Sequence, residues 1–481
     1  MKRVKFLAVA LIAMVAFAAC SKEKSAELVL ERTSLYFSAW GDPAQGVRYV
    51  ARDAEGGVAV SSLSPGWNAS IDYATQTILV WPEGATEEGV TNEDLPTEGS
   101  VVVNALNKEG KATSYNIYVY ICPTQLLGVN SAANCYVLST PATNYTFDVM
   151  HRPVDNAPLD TKSVKLLWQS NPGVVNNVNL VGGKATFYVA ASEQDVTRVE
   201  DSNAVIAAYN GAGEIVWSWH LWIVNDNPLA AYDTYANGKS FMRQNLGAFA
   251  NSDGALDEQK IYNSYGMYYQ WGRKDPFPRP YYFDASGADD ESRYNEYGTY
   301  IQEVYEEQTA QNGTIEYVTK NPMIFVCNGE GESGDWLASA NGELWKDAQK
   351  SIYDPCPYGW RVPTADDLKV LTLEDAVDNT PLETARKQYG WHLSDGVNRY
   401  FYPACGRRRY TDGRVENMNS KEGVYPSQPQ PWEGYYWTST TDGSKAVALY
   451  FDLTTTRTIN KFETTHAARR ANGLQVRCVK E

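Results

Sequence analysis

The sequence predicts a multidomain protein of mainly β architecture: two N-terminal β-sandwich domains followed by an α+β domain. Three observations predict it. Residues 27–227 consist of short runs rich in Val, Ile, Tyr and Thr, with period-two stretches, separated by Gly, Asp, Asn and Pro, as antiparallel sandwiches read. A helix start with full capping chemistry then follows at Thr364 in the second half of the chain. Finally, residues 20–481 suffice for about three domains.

Lys2, Arg3 and Lys5 precede an apolar run from Phe6 to Ala19, and Cys20 ends it. A basic start, a short apolar stretch and small residues before the cut describe a secretory signal. The run is shorter than the roughly 20 apolar residues of a membrane span. "AFAAC" resembles a lipobox, which implies cleavage before Cys20 and lipidation of that residue. Residues 1–19 are then a lipoprotein signal peptide and residues 20–26 a lipidated tether. Ser21, by resemblance to Gram-negative sorting rules, implies anchoring in the outer membrane; exposure at the cell surface is a separate expectation, with a periplasmic orientation left open. Loss of the three basic residues takes the formal charge from −16 to −19. Neutralising phosphates needs a basic surface, so nucleic acid is excluded as a partner.

Residues 27–121 carry the first sandwich. "SIDYATQTILV" alternates apolar and polar side chains over much of its length, as a strand with one buried face does. The segment resembles the immunoglobulin-like modules near the N-termini of Bacteroidota surface lipoproteins. Residues 122–227 carry the second. They close on "NAVIAAYNGAGEIVWSWHLWIV", a strand, a turn and a strand of large apolar residues. The run Ile215–Val224 has so few polar positions that it is expected to be buried on both faces or at a junction. His220 lies within it and reads as a hydrogen-bonded core histidine, with no carboxylate or cysteine at ligand spacing. The module resembles one found in Bacteroidota fimbria-associated and surface proteins upstream of a lectin-like domain.

Besides Cys20 there are six cysteines, Cys122, Cys135, Cys327, Cys356, Cys405 and Cys478, which allow fifteen full pairings. None forms a CxxC, and the four histidines are scattered, which argues against a zinc site. Asp366 and Asp367 project about 100° apart on a helix and do not converge on a substrate. Asp367 instead completes a capping box with Thr364. Trp360 reads as core, with Arg361 paired to a nearby acid. No catalytic constellation emerges.

From residue 233 to 481 the motifs "GKSFMRQNLGAF", "YGMYYQWGRKDPFPRP", "YDPCPYGWRVPTADDLKVL", "YFYPACGRRR", "GYYWTSTTDGSKAVALYFD" and "ANGLQVRCVKE" occur in order. This resembles the Fibrobacter succinogenes major paralogous (FISUMP) domain, a relative of the C-type-lectin and sulfatase-modifying-factor fold. An acidic insertion near 284–316, with nine carboxylates and one basic residue, Arg293, reads as an exposed, partly disordered loop. The resemblance implies that the ends of the domain pair as strands, which makes Cys356 and Cys478 disulfide partners, with Cys327 and Cys405 as the next pair. Cys122 and Cys135 either pair or stay as buried thiols. No cofactor is implied. Calcium, which C-type lectins use, lacks its motif: Gln428-Pro429-Gln430 has no acid in register, and "WTSTTDG" stands where Trp-Asn-Asp is expected.

In a lectin-like fold the region 406–436 faces the ligand. It offers Arg407, Arg408 and Arg409 as forks for acidic groups, and Trp432 and Tyr435 as exposed rings that stack on sugar or anchor a peptide. Tyr436 and Trp437 read as core. The functional expectation is an outer-membrane-anchored, adhesin-like protein whose lectin-like head binds a glycan or a surface or host protein. The alternatives are a fimbrial accessory or tip subunit, whose partners are fimbrial subunits, and an envelope enzyme, either an oxidase of the sulfatase-modifying type or a glycan hydrolase.

Overall fold

A computed structural model describes residues 24–254, 256–284, 287–290, 292–329, 334–346, 348–373, 385, 388–416, 433–453 and 462–481. The expected signal peptide, Cys20 and Trp432 lie outside the described residues. Strands dominate, arranged as several sandwich-like sheets. Among the described residues no helix is long and apolar enough to cross a membrane.

The chain divides into two compact units. The first comprises residues up to Leu35 together with Ala39–Tyr120, and the second comprises Tyr36–Ser38 with Ile121–Glu481. In the N-terminal region one four-stranded sheet runs Glu27–Leu30, Gln45–Arg52, Thr77–Pro82, Trp67–Asp72. The other runs Ser34–Phe37, Ala112–Ile121, Glu98–Leu106, Gly57–Leu63. Alternation sets the core: Val47, Ile78 and Val80 from one sheet and Val101, Val103, Ile117 and Val119 from the other are buried.

The second unit opens with another sandwich. Cys135–Leu138, Ile215–Ile223, Ser202–Tyr209 and Ser163–Gln169 form one sheet; Val175–Val181, Lys184–Val189, Thr143–Asp148 and Thr124–Leu126 form the other. Strand Ile215–Ile223 has two buried faces. Trp217, Trp219, Leu221 and Ile223 enter the core between the sheets with Phe147 and Phe187. Trp222, on the opposite face, enters a second core with Trp271, Trp336, Trp345 and Trp437. Burying such a ring fully is worth roughly 2–3 kcal/mol, so residues 121–227 and 233–481 share apolar packing. The expected boundary near 227–233 is a change of architecture without a break in packing.

Among the described residues, 233–481 are mainly short strands, with short helices at Glu258–Asn263, Ile315–Lys320 and Ala365–Leu368. Strand Ser240–Met242 pairs antiparallel with Val479–Lys480, which pairs with Trp360–Arg361. This brings Cys356 to Cys478, and they form a disulfide across 122 residues of sequence. The Thr364 cap forms as read: its hydroxyl accepts from the Asp367 N–H at 3.1 Å, and Asp367 accepts from the Thr364 N–H at 2.8 Å. Arg361 donates to the same carboxylate at 2.9 Å.

Three expectations are corrected. Cys327 and Cys405 are free thiols, as are Cys122 and Cys135. Cys327 packs among Tyr268, Phe277 and Phe325, whereas Cys405 sits among Ile261, Tyr262 and Tyr265; they occupy separate apolar clusters. The acidic insertion is structured over its described part. Val304–Glu307 pairs parallel with Ile324–Cys327, and Ile315–Lys320 is helical. The third correction concerns the predicted ligand loop.

Candidate functional site

Arg407, Arg408 and Arg409 do not present a common face to solvent. Arg407–Arg408 pairs with Val415–Glu416, and the turn between them closes through Gly413, whose φ of 70° suits glycine. Arg408 is fully buried, 0% exposed. Its Nη1 donates to Glu303 Oε2 at 2.9 Å and Nη2 to Glu303 Oε1 at 3.2 Å, with further bonds to Pro278 O and Gly413 O. Arg409 binds Asp412 within the turn. Glu303 comes from the acidic insertion, so the insertion supplies the counter-charge for Arg408.

Tyr435 is 3% exposed rather than displayed. Strand Glu433–Asp442 pairs with Lys445–Asp452, with Tyr435 opposite Tyr450 and Glu433 opposite Asp452. The Tyr435 hydroxyl donates to Glu433 at 2.6 Å and that of Tyr450 donates at 3.1 Å. Arg407 lies over the Tyr435 ring at 5.2 Å, and His466 stacks on Tyr450 at 4.7 Å. Burial pushes the Glu433 carboxyl up to about 7; the Tyr435 bond opposes the rise and the neighbouring Asp452 adds to it. Two of the five expected ligand residues, Arg407 and Tyr435, therefore meet around a buried carboxyl. Tyr436 and Trp437 are core, as read.

A concave candidate site among the described residues lies elsewhere. A cavity of about 210 Å³ is bounded by Asp233, Arg243, Asp253, Arg399 and Arg477, with Tyr235, Met242, Asn251, Tyr400 and Phe401 completing it. Five short stretches of chain converge to build it. Strand Tyr232–Thr234 brings Asp233, which Arg243 grips from Nε at 3.0 Å and Nη2 at 2.9 Å. Strand Arg399–Pro403 brings Tyr400, whose hydroxyl donates to Asp395 at 2.6 Å while its ring stacks on Tyr235 at 4.0 Å. The Asn251–Asp253 turn forms one wall.

Arg477 approaches from the segment before the last strand. It is 4% exposed, donates to Asn245 Oδ1 at 3.0 Å and to Phe401 O at 2.8 Å, and lies over the Tyr402 ring at 3.9 Å. Arginine stays cationic in such surroundings, and Arg477 makes no ion pair among the described residues. Convergent charged groups around a small concave cavity make this a candidate recognition site. Sequence reasoning missed it because its residues come from positions 233 to 477. One signal was present: in "GLQVRCVK" an arginine alternates with residues destined for the core.

His220 and two of the free thiols have structural surroundings. His220 bonds Asn203 through Nε2 at 2.9 Å, and burial pushes its pKa down to about 3. Burial raises the thiols of Cys327, to about 12, and of Cys405, away from nucleophilic reactivity. Among the described residues no three His, Cys, Asp or Glu side chains are placed to hold a metal ion; the stretch Gln428–Gln430 lies outside them.

No protein-family model and no curated protein matches the chain. Among solved structures it is similar to the Bacteroides ovatus mixed-linkage glucan utilisation protein SGBP-B in complex with a mixed-linkage heptasaccharide, at 10% identity and a TM-score of 0.15, over 42% of this chain and 46% of that one. It is also similar to Drosophila N-cadherin EC1-3, at 13% identity and a TM-score of 0.13, over 40% and 62%. Human desmocollin-1 matches at 9% identity and a TM-score of 0.15, over 48% and 45%. The chain thus spans about half the length of the first structure it matches, and similarity this slight carries over neither fold nor function.

Proposed function

We propose that this protein is a binding protein tethered to the outer membrane through Cys20, with residues 233–481 as a C-type-lectin-like head of the FISUMP type that recognises a glycan or a surface protein. The observation that carries the reading is the polar cavity, where Arg243, Arg399 and Arg477 converge with Asp233 and Asp253. The lipobox-like "AFAAC" and the ordered motifs from "GKSFMRQNLGAF" to "ANGLQVRCVKE" support the anchor and the head. The acidic chain suits a soluble, exported molecule.

The test is binding of the chain from Lys24 to Glu481 to a broad glycan and surface-protein array, with and without EDTA. Keeping residues 121–227 together with 233–481 avoids cutting through the core shared by Trp222 and Trp271, both in the second unit. A specific signal that weakens when the rim residue Arg399 is replaced by Gln is expected. A blank array from a demonstrably folded chain sinks the reading.

A further inference from the structure

We infer that the cavity around Arg477 takes a carboxylated sugar, with the carboxylate on the Arg477 guanidinium; the inference rests on the binding reading above and names its ligand class. The argument begins with charge. Of the cavity's charged groups, Arg243 is already held by Asp233 through two contacts near 3 Å. Among the described residues Arg477 has no such counter-charge: it donates to an amide oxygen and a backbone carbonyl, and tyrosine rings pack against it. A buried cation without a counter-charge is costly. A ligand carboxylate removes that cost, and the guanidinium fork matches its geometry.

The remaining lining selects among anions. Asp233 and Asp253 stand at the same cavity, and they repel a dianion such as phosphate more strongly than a monoanion. The same carboxylates, with the Asn251 amide, accept hydrogen bonds from hydroxyl groups, which a polyhydroxylated ligand supplies and an apolar carboxylic acid does not. The volume of about 210 Å³ is below the ~300–1,000 Å³ of drug-sized sites, a size for one sugar residue. The wall is preset: Tyr400 is fixed by Asp395 and by stacking on Tyr235, so little order is lost on binding.

The experiment is calorimetric titration of the Lys24–Glu481 chain with glucuronate and galacturonate, their uronamides, the neutral sugars glucose and galactose, and inorganic phosphate. The acids are expected to bind at least tenfold more tightly than the amides or the neutral sugars, and the preference to weaken as salt rises. Because Arg477 also packs on Tyr402, the comparison of acid with amide is made on the unaltered chain. Arg477→Gln is expected to erase the preference, and Arg409→Gln, which lies outside the cavity and pairs with Asp412, to leave it in place. Equal binding of acid and amide overturns the carboxylate assignment and leaves the binding reading intact, as does tighter binding of phosphate. No saccharide binding, together with a hit elsewhere on the array, has the same meaning. A blank in both experiments overturns both readings.

Discussion

Arg408 and Glu303 are joined by two parallel hydrogen bonds, 2.9 and 3.2 Å long, in which a fully buried guanidinium meets a carboxylate contributed by the acidic insertion. Arg293 lies 3.9 Å from the same carboxylate. The pair explains why a stretch with nine acids and one base between Asp284 and Glu316 is held against the remainder of its unit. It also explains why three consecutive arginines have different roles.

Truncating one partner of a buried pair leaves the other uncompensated. Arg408→Ala is therefore expected to lower stability by about 3–5 kcal/mol, read as a shift in the urea midpoint at constant slope. Arg409→Ala, which breaks a half-exposed pair with Asp412, should cost under about 1 kcal/mol. If Arg408→Ala instead leaves stability intact and removes ligand binding, the structural assignment of this arginine is wrong.

The Cys356–Cys478 bridge closes a loop of 122 residues. In the chain-entropy model such a closure is worth about 5 kcal/mol. Replacing both cysteines by serine should lower stability by up to that amount. Cys327→Ser should leave the disulfide untouched. Thiol titration of the denatured Lys24–Glu481 chain is expected to find four free thiols before reduction, and six after it, once Cys356 and Cys478 are freed. Two thiols before reduction would establish a second bridge.

Glu433 makes stability depend on pH in a definite direction. Its carboxyl titrates near 7 in the folded chain against an ordinary 4.5, because burial disfavours the charged form. Between those values the folded state holds a proton that the unfolded state has released. This group's contribution is complete below about 4.5, declines as pH rises through 7, and is then lost, a swing of about 3 kcal/mol. The groups facing it are Tyr435, Tyr450, Asp452, Arg407 and, across Tyr450, His466. Glu433→Gln should accordingly narrow the loss of Tm between pH 5 and pH 8. Parallel pH profiles for the two proteins would show that Glu433 is ionised throughout.

Local chemistry was legible where it was self-contained. The Thr364–Asp367 cap, the hairpin closing on Ile215–Ile223 and the double burial of that strand all follow from residues near one another in sequence. The ligand loop misled because exposure is not a local property. "GRRRYTDG" is equally a solvated turn or a clasp until Glu303, a hundred residues upstream, is brought beside Arg408. Tyr435 carries the same lesson: its ring is apolar enough to bury, and Glu433 two residues earlier receives its hydroxyl inside the core.

By itself the sequence determined the alternation of short strands, the places where turns and caps must fall, the acidic charge and the cysteines available for pairing. Periodicity, capping and turn chemistry act over a few residues, so they can be read in order along the chain. Only the tertiary structure decided which cysteine met which, which arginine was neutralised, and that Asp233, Arg399 and Arg477 share one cavity. Those outcomes depend on long-range strand pairing, such as Phe241 with Val479 and Arg361 with Val479. That pairing is selected by the burial of whole faces, which no single segment encodes.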